Sequence, residues 1–290
     1  MARSLIVFFS QGGTTAQVAE RIASGLKGSG FNQADLYNLK EANPPEPNAY
    51  NLLGVGFPAY FFKPPFNVMD YILSLPDLAG MPFFTFLLYG SNQGDTAKAA
   101  RRMLIGKGGR EVGYFSARGE DFFYGFLKMG YLFSPDHPSA EELRLAEEFG
   151  AQVAERAFRG PGKYAVAPAP SLGPVYRLER FLSNRWLVRN VYSRLFKVNP
   201  EACSSCGMCI RLCPTGNLTA GRDGLPRWGR DCLLCLTCEL KCPQEAIISP
   251  LSWAIFKVFI SYNVREALKS PDLDWVRVSH SKGRTVRLTS

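Results

Sequence analysis

The sequence of 290 residues lacks several features that mark common classes of protein. It contains no run of 18 apolar residues, and therefore no segment long enough to be a membrane-spanning helix. It has only two histidines, and no Ser–His–Asp set or paired acidic site is evident in it. The apolar stretch after Arg3 is too short for the core of a signal peptide. We therefore expect a cytoplasmic protein without catalytic residues of its own.

Cysteine is absent outside two runs, which together hold all eight cysteines. The first run is Cys203-x2-Cys206-x2-Cys209-x3-Cys213-Pro214, and the second repeats it as Cys232-x2-Cys235-x2-Cys238-x3-Cys242-Pro243. This is the spacing of bacterial ferredoxins that carry two [4Fe–4S] clusters. Zinc sites usually take two C-x2-C pairs instead, and disulfides are typical of short secreted chains. The runs therefore favour iron–sulfur clusters.

The resemblance to ferredoxins also implies which cysteines bind each cluster, because there the last cysteine of each run binds the cluster of the other run. One cluster is then expected on Cys203, Cys206, Cys209 and Cys242, and the other on Cys232, Cys235, Cys238 and Cys213. The first loop contains Ser204, Ser205 and Gly207, whereas the second contains Leu233, Leu234 and Leu236. An apolar shell lowers a cluster potential, so we expect the second cluster to have the lower one. The alternative is that backbone amides dominate and the potentials are alike.

Charge is distributed unevenly along the chain, whose net charge is +9. Residues 1–160 contain 15 Lys and Arg against 16 Asp and Glu, whereas residues 161–290 contain 19 against 9. Two oxidised clusters with their thiolates would offset about −4 of this excess. The remainder favours a redox partner protein with an acidic surface, or peripheral contact with an anionic membrane. No nucleic-acid-binding motif is present, so nucleic acid is not an expected partner.

Strands and helices alternate over residues 1–160. Apolar runs predict strands at 5–9, 36–39, 51–57, 83–89 and 111–116. Apolar periodicity predicts helices after the first, third and fourth strands, and Ser139-x-x-Glu142 is a capping box that opens a last helix to about Phe158. This alternation predicts an α/β domain with a doubly wound parallel sheet.

Three loops should meet at one edge of that sheet, where doubly wound proteins bind their ligands. The first, Ser10-Gln11-Gly12-Gly13-Thr14-Thr15, precedes a helix and suits a phosphate group. The second offers aromatic side chains for stacking on a flat ring, and the third offers polar groups for a ring edge. Their candidate residues are Pro58, Tyr60, Phe61 and Phe62 in the second, and Tyr89, Gly90, Ser91 and Asn92 in the third. The alternative is an ordinary strand–helix turn beside core aromatics.

This set of loops resembles flavodoxin, whose phosphate loop reads Ser/Thr-x-Thr-Gly-x-Thr/Ser and binds FMN. Ser10, Gly13 and Thr15 match that motif, whereas Gly12 replaces the usual central threonine, for which Thr14 is expected to compensate. The resemblance covers roughly residues 3–158. With the cysteine runs, the chain is similar to a family of flavodoxin–ferredoxin fusion proteins of anaerobes. The resemblance implies a flavodoxin-like domain, a small α+β ferredoxin-like domain, two [4Fe–4S] clusters and FMN.

We predict four segments along the chain. They are a flavodoxin-like domain at 1–160, a linker and basic amphipathic helix at 161–198, a two-cluster ferredoxin domain at 199–250, and a C-terminal helix with a mobile basic tail at 251–290. The helix, at 175–198, either packs the second domain onto the first, which we favour, or docks on a membrane or a partner.

The leading functional hypothesis is an electron-transfer protein that passes electrons between single-electron clusters and a flavin. One alternative is a flavin-dependent reductase of a quinone, nitro compound or enone, for which His137 and Tyr89 are candidate proton donors. Another is an electron-transfer subunit of a larger redox complex, with a flavin-free docking domain. The absence of a catalytic constellation favours the carrier.

Overall fold

The structure, a computed structural model, describes residues 2–41, 43–160 and 173–288. These residues form two compact units. The first unit contains the described residues up to Glu120 and those from Asp136 to residue 160. The second unit contains Asp121–Pro135 and the described residues from Gly173 onward. Within the described ranges, no helix has the length and apolar character needed to cross a membrane. Of the linker and helix predicted at 161–198, residues 161–172 lie outside the described residues.

The first unit is built on a five-stranded parallel sheet with the order β2-β1-β3-β4-β5. Its strands are β1 (Arg3–Phe8), β2 (Gln33–Asn38), β3 (Leu52–Pro58), β4 (Pro82–Tyr89) and β5 (Arg110–Arg118). The central strands are almost wholly apolar because a parallel sheet is covered on both faces, and Leu5, Ile6 and Val7 are fully buried. The order 2-1-3-4-5 is that of flavodoxin-like folds. The predicted doubly wound sheet is therefore confirmed.

Four helices of the first unit cover this sheet. They are α1 (Thr14–Lys27), α2 (Phe66–Ser74), α3 (Thr96–Gly106) and α5 (Ala140–Phe158), numbered along the whole chain. The predicted capping box opens α5, because the Ser139 hydroxyl accepts from the Glu142 N–H and the Glu142 carboxylate accepts from the Ser139 N–H. Helices α1 and α5 approach each other closely. A Cβ atom on Gly150 would lie 2.3 Å from the Ile22 carbonyl oxygen.

Replacing Gly150 with alanine is expected to destabilise the first unit by about 1–3 kcal/mol, because the added methyl forces the two helices apart. Differential scanning calorimetry of the full chain should show the lower unfolding temperature. Gly106→Ala, at the end of α3, is the matched control, because a Cβ atom there meets no atom of the described chain within 4 Å. Equal unfolding temperatures for the two variants would contradict the close approach.

The second unit consists of short elements and three small sheets. Its helices are α4 (Tyr124–Lys128), α6 (Pro174–Leu182), α7 (Arg185–Asn190), α8 (Met208–Arg211), α9 (Thr237–Leu240) and α10 (Ala254–Leu268). Its strands are β6 (Tyr131–Phe133), β7 (Lys197–Val198), β8 (Leu218–Ala220), β9 (Pro226–Trp228), β10 (Ile247–Ile248), β11 (Trp275–Ser281) and β12 (Arg284–Arg287). The sheets have the orders β10-β7, β8-β9 and β12-β11-β6.

The structure assigns Asp121–Pro135 to the second unit, although the sequence placed it in the first domain. The reason is packing: Phe126 and Phe133 are buried in one cluster with Ile260 and Val264 of α10. Strand β6 also pairs antiparallel with Trp275–Arg277 of β11. We call Asp121–Pro135 the insertion. The other predicted boundaries, at 160, 198 and 250, stay predictions.

Two further expectations are corrected by the structure. The single helix predicted at 175–198 is broken, because Ser183 Oγ donates to the Glu179 carbonyl and Asn184 caps a new helix by accepting from Leu187 N–H. The C-terminal tail is not a mobile segment throughout, because β12 pairs with β11. The connection is the dipeptide Lys282–Gly283, both at positive φ, which is the geometry of a tight hairpin turn.

Candidate cluster and cofactor sites

Four cysteines line one cavity of the second unit, and they are Cys203, Cys206, Cys209 and Cys242. The first three come from the loop before α8 and from α8 itself, whereas Cys242 follows α9. Cys206 is exposed and the other three are partly buried. The backbone N–H of Met208 lowers the pKa of the Cys206 thiol. This set is the one expected for the first cluster, and we call it the first cysteine group.

The remaining cysteines, Cys232, Cys235, Cys238 and Cys213, form the second cysteine group. Burial raises the pKa of Cys232, Cys235 and Cys238, and the neighbouring Cys213 raises the pKa of all three further. Cys232 and Cys238 are buried, in contrast to the exposed Cys206. Buried thiols resist ionisation unless a metal centre supplies positive charge. The described residues offer no group of three His, Cys, Asp or Glu side chains arranged around a single metal ion.

The two cysteine loops share one backbone conformation. Ser205 and Gly207 have φ values of 52° and 69°, and the equivalent Leu234 and Leu236 have 55° and 58°. The equivalence continues after the fourth cysteine of each run, where Gly216 and Glu245 have φ values of 64° and 50°. Left-handed residues turn successive N–H groups toward one point, which is a common arrangement around anions and iron–sulfur clusters. Leucine and glutamate rarely adopt this conformation, so the sequence alone did not reveal how closely the halves match.

Amide donors reach the sulfurs of both groups. The Leu234 N–H donates to Cys232 Sγ at 3.3 Å, and the Ala246 N–H donates to Cys242 Sγ at 3.3 Å. The surroundings nevertheless differ, because Leu233, Leu234 and Leu236 are all buried around the second group. Ser204 and Ser205 are exposed in the first loop. The structure therefore combines amide donors at both groups with unequal access to water.

A buried carboxylate lies beside the second group. Glu239 of α9 is 3% exposed, and its carboxylate accepts from Lys128 Nζ at 3.0 Å and from the Ser249 N–H at 3.2 Å. Ser252 Oγ lies 3.4 Å from the same carboxylate. Lys128 comes from the insertion, so this ion pair joins the insertion to the cysteine-bearing part of the second unit.

Lys128→Met is expected to destabilise the second unit by about 1–3 kcal/mol, because the Glu239 carboxylate would stay buried without its cation. Thermal unfolding of the cluster-loaded protein measures this loss. Adding Glu239→Gln to Lys128→Met should recover part of it, since the amide carries no charge. Lys197→Met, at an exposed lysine of β7, is the matched control. Strictly additive effects of the two substitutions would show that the pair is not coupled.

The loop between β1 and α1 leaves the amino terminus of α1 open on one side. Gly13, at the start of α1, has a φ of 96°, and a Cβ atom on Gly12 would have no atom of the described chain within 4 Å. Ser10 is buried, and its hydroxyl accepts from the Ala16 N–H at 3.3 Å. Thr15 is also buried, whereas Thr14 is partly exposed. The open side of this loop is therefore formed by Gly12, Gly13 and Thr14.

The second candidate loop lies against the first, and the third lies against the second. Tyr60 Oη donates to Gln11 Oε1, and the Tyr60 ring packs edge-on to Phe9 at 6.0 Å. Gln11 Nε2 is buried with no hydrogen-bond partner among the described residues. Gly94 of the third loop comes so close to Phe62 that a Cβ atom on it would lie 2.6 Å from the Phe62 Cβ. The structure thus brings the three loops together at the carboxyl ends of β1, β3 and β4.

The other named candidates have simpler positions. Pro58 ends β3, Phe61 has a φ of 48°, and the Tyr89 carbonyl accepts from the Gly119 N–H. Asn92 Oδ1 accepts from the Gly94 N–H at 2.8 Å and shapes the third loop, which also contains Gly90 and Ser91. His137 Nδ1 lies 2.6 Å from Glu142 Oε2, beside the start of α5. Its ring is therefore engaged with the helix cap.

One chain thus joins a flavodoxin-like doubly wound fold to a ferredoxin domain, as in a flavodoxin–ferredoxin fusion. The family model of the 4Fe-4S binding domain matches residues 196–219. An uncharacterised protein of Methanocaldococcus jannaschii is 25% identical in an alignment of 148 residues that covers 48% of this chain and 89% of that protein.

Several solved flavodoxin structures are similar to about half of this chain. A flavodoxin from the domain Archaea is 15% identical, with 53% of this chain and 98% of that chain covered and a TM-score of 0.42. A WrbA-like flavodoxin of Agrobacterium tumefaciens is 19% identical, with 54% and 98% covered and a TM-score of 0.41. The flavodoxin of Megasphaera elsdenii is 20% identical, with 52% and 98% covered and a TM-score of 0.41.

Proposed function

We propose that this protein transfers electrons between two [4Fe–4S] clusters and a bound FMN. The observation that carries the proposal is the division of the eight cysteines into two groups of four. Each group combines three cysteines of one run with the last cysteine of the other, as in two-cluster ferredoxins. The matching left-handed residues in the two loops support two equivalent cluster sites.

The first unit would bind FMN at its three loops. Gly12, Gly13, Thr14 and Thr15 would hold the phosphate at the amino terminus of α1, where backbone N–H groups and the helix dipole favour an anion. The buried Gln11 Nε2, which has no hydrogen-bond partner among the described residues, supports a ligand at this place. Tyr60, Phe61 and the Tyr89–Asn92 loop would contact the ring. FMN supplies one- and two-electron chemistry, whereas each cluster passes single electrons.

The partner would be a redox protein with an acidic surface. Cys206 is the exposed member of the first group, and Arg211 Nη1 donates to its carbonyl oxygen at 2.9 Å. Arg211 lies within the first run, Arg222 and Arg227 follow it, and all three are exposed. Electron exchange would then occur at the first group, where a cluster is most accessible to a partner.

Anaerobic purification followed by iron, sulfide and flavin analysis tests the proposal. We expect about eight iron and eight sulfide per chain, the content of two cubanes, and one FMN. About four iron would contradict the two-cluster proposal. Eight iron without flavin would contradict the FMN proposal and leave a two-cluster ferredoxin attached to a flavin-free domain.

The second cluster is expected to have the lower reduction potential, because the second cysteine group is buried among leucines while the first is open to water. A redox titration resolved by EPR measures both potentials. Leu234→Ser, which adds a hydroxyl beside the second group, should raise the lower potential and leave the other unchanged. Indistinguishable potentials in the unmodified protein would mean that the shared amide donors dominate.

A further inference from the structure

Large apolar side chains are exposed on three helices of the second unit. Their exposed fractions range from 41% to 69%, and the residues are Leu178 and Phe181 of α6, Trp186 of α7, and Trp253, Ile255 and Val258 at the start of α10. Exposing so many large apolar groups costs free energy in water unless another surface covers them. We call this set, together with the basic side chains of α6 and α7, the helical face.

The three helices are neighbours in the fold. The rings of Tyr176 and Tyr262 contact each other at 5.8 Å, and Asn263 Nδ2 donates to Glu179 Oε2 at 2.8 Å, so α6 packs against α10. The Tyr192 ring, just after α7, packs edge-on to Phe256 at 5.6 Å. Because α6, α7 and α10 are held together, their exposed apolar groups belong to one region of the second unit.

The apolar residues of α6 lie away from its packed side. Tyr176 and Glu179 face α10, whereas Arg177, Leu178 and Phe181 are exposed at the helical spacing of one face. Helix α10 buries residues only from Ile260 onward, and Trp253, Ile255, Lys257 and Val258 are all exposed before it. Between them, Phe256 and Phe259 are partly buried, and Phe256 contacts Tyr192. The exposed groups therefore lie on the remaining sides of the first two turns of α10.

The charge of this region is strongly positive. Residues 174–198 contain six basic residues, Arg177, Arg180, Arg185, Arg189, Arg194 and Lys197, against the single acidic residue Glu179. Arg177, Arg194 and Lys197 are exposed, whereas Arg189 is largely buried and pairs with Asp231 at 3.7 Å. The Glu179 carboxylate is directed to Asn263 of α10, and Lys257 adds a further positive charge among the exposed apolar groups. The helical face therefore combines tryptophan, phenylalanine and aliphatic groups with arginine.

We propose that the helical face docks the protein on an anionic lipid surface. Trp186, Phe181 and the exposed side of the start of α10 would enter the boundary between headgroups and acyl chains, while the exposed basic side chains lie among the lipid phosphates. Exposed aromatic groups beside arginine and lysine are typical of helices that lie in this interface. This proposal is independent of the flavin.

Cosedimentation of the full, cluster-loaded chain with lipid vesicles tests the proposal. We expect binding to vesicles that contain phosphatidylglycerol, little binding to pure phosphatidylcholine, and weaker binding as salt concentration rises. The variant Phe181→Ser/Trp186→Ser/Val258→Ser should partition at least about tenfold more weakly, because it loses three apolar contacts. The control Val286→Ser/Leu288→Ser replaces residues of the same unit that are also more than half exposed, and it should bind like the unmodified chain.

Unchanged iron content in each variant shows that the second unit remains folded. Absence of binding to both vesicles, or equal binding to both, would overturn the proposal. Equal losses of vesicle binding in the triple variant and in the control would also overturn it. A triple variant that converts a dimer into a monomer without a change in vesicle binding would assign the helical face to a second copy of the chain instead.

Discussion

Replacing Cys206 and Cys242 together with serine is expected to leave about half of the bound iron, whereas replacing Cys206 and Cys213 together is expected to remove nearly all of it. The reason is that Cys206 and Cys242 line the same cavity, while Cys213 neighbours the cysteines of the second run. Two losses within one site remove one cluster, and one loss in each site removes both.

Iron and sulfide analysis of anaerobically purified protein measures the difference. We expect about four iron per chain for Cys206→Ser/Cys242→Ser and about none for Cys206→Ser/Cys213→Ser, given about eight in the unmodified protein. Cys232→Ser/Cys213→Ser is the matched control within the second site and should also keep about four iron. If each run bound its own cluster, the two results would be exchanged. Cys206→Ser/Cys213→Ser would then keep about four iron, and Cys206→Ser/Cys242→Ser would lose nearly all of it.

Replacing Gly12 with aspartate is expected to lower FMN affinity about 100-fold, or about 2.7 kcal/mol. The backbone of Gly12 has no positive φ, and a side chain there has open space around it, so the fold accepts the substitution. A carboxylate near the start of α1 is itself favourable to the helix. A phosphate dianion at the same terminus would be repelled, because like charges about 4 Å apart cost about 4 kcal/mol near a protein surface.

Quenching of FMN fluorescence on binding to flavin-free protein measures this affinity. Gly12→Asn is the matched control, because asparagine has the shape of aspartate without its charge. Riboflavin lacks the phosphate, so the affinity of Gly12→Asp for riboflavin should equal that of Gly12→Asn. Equal FMN affinities for the two variants would show that the phosphate does not lie at the amino terminus of α1.

The sequence predicted the first unit well because its central strands are local apolar runs. The strand predicted at 51–57 is shifted by one residue from Leu52–Pro58, and the strand predicted at 83–89 begins one residue later than Pro82–Tyr89. The crosswise pairing of the cysteine runs was expected from a known spacing and stays a prediction, with Cys242 lining the same cavity as the first three cysteines of the other run. Both signals are contained in short stretches of chain.

The insertion could not be predicted from local pattern because its partners are distant in sequence. Strand β6 has three residues, and it pairs with Trp275–Arg277 more than 140 residues later. The apolar residues of the insertion, among them Phe126 and Phe133, resemble those of any core segment. The hairpin at Lys282–Gly283 differs, because its turn residues are adjacent in sequence. The basic residues around this turn nevertheless led to the prediction of a tail. Charge indicated solvent exposure there, but it did not exclude a strand.

The place of the insertion has a consequence for attempts to divide the chain. A fragment cut at the segment between residues 160 and 173 would separate Phe126, Lys128 and Phe133 from Val264, Glu239 and β11, their neighbours in the second unit. The carboxy-terminal fragment would then expose an apolar slot and leave a buried carboxylate without its cation. The second unit is therefore not encoded by one continuous stretch of the sequence, because the insertion within the amino-terminal half completes it.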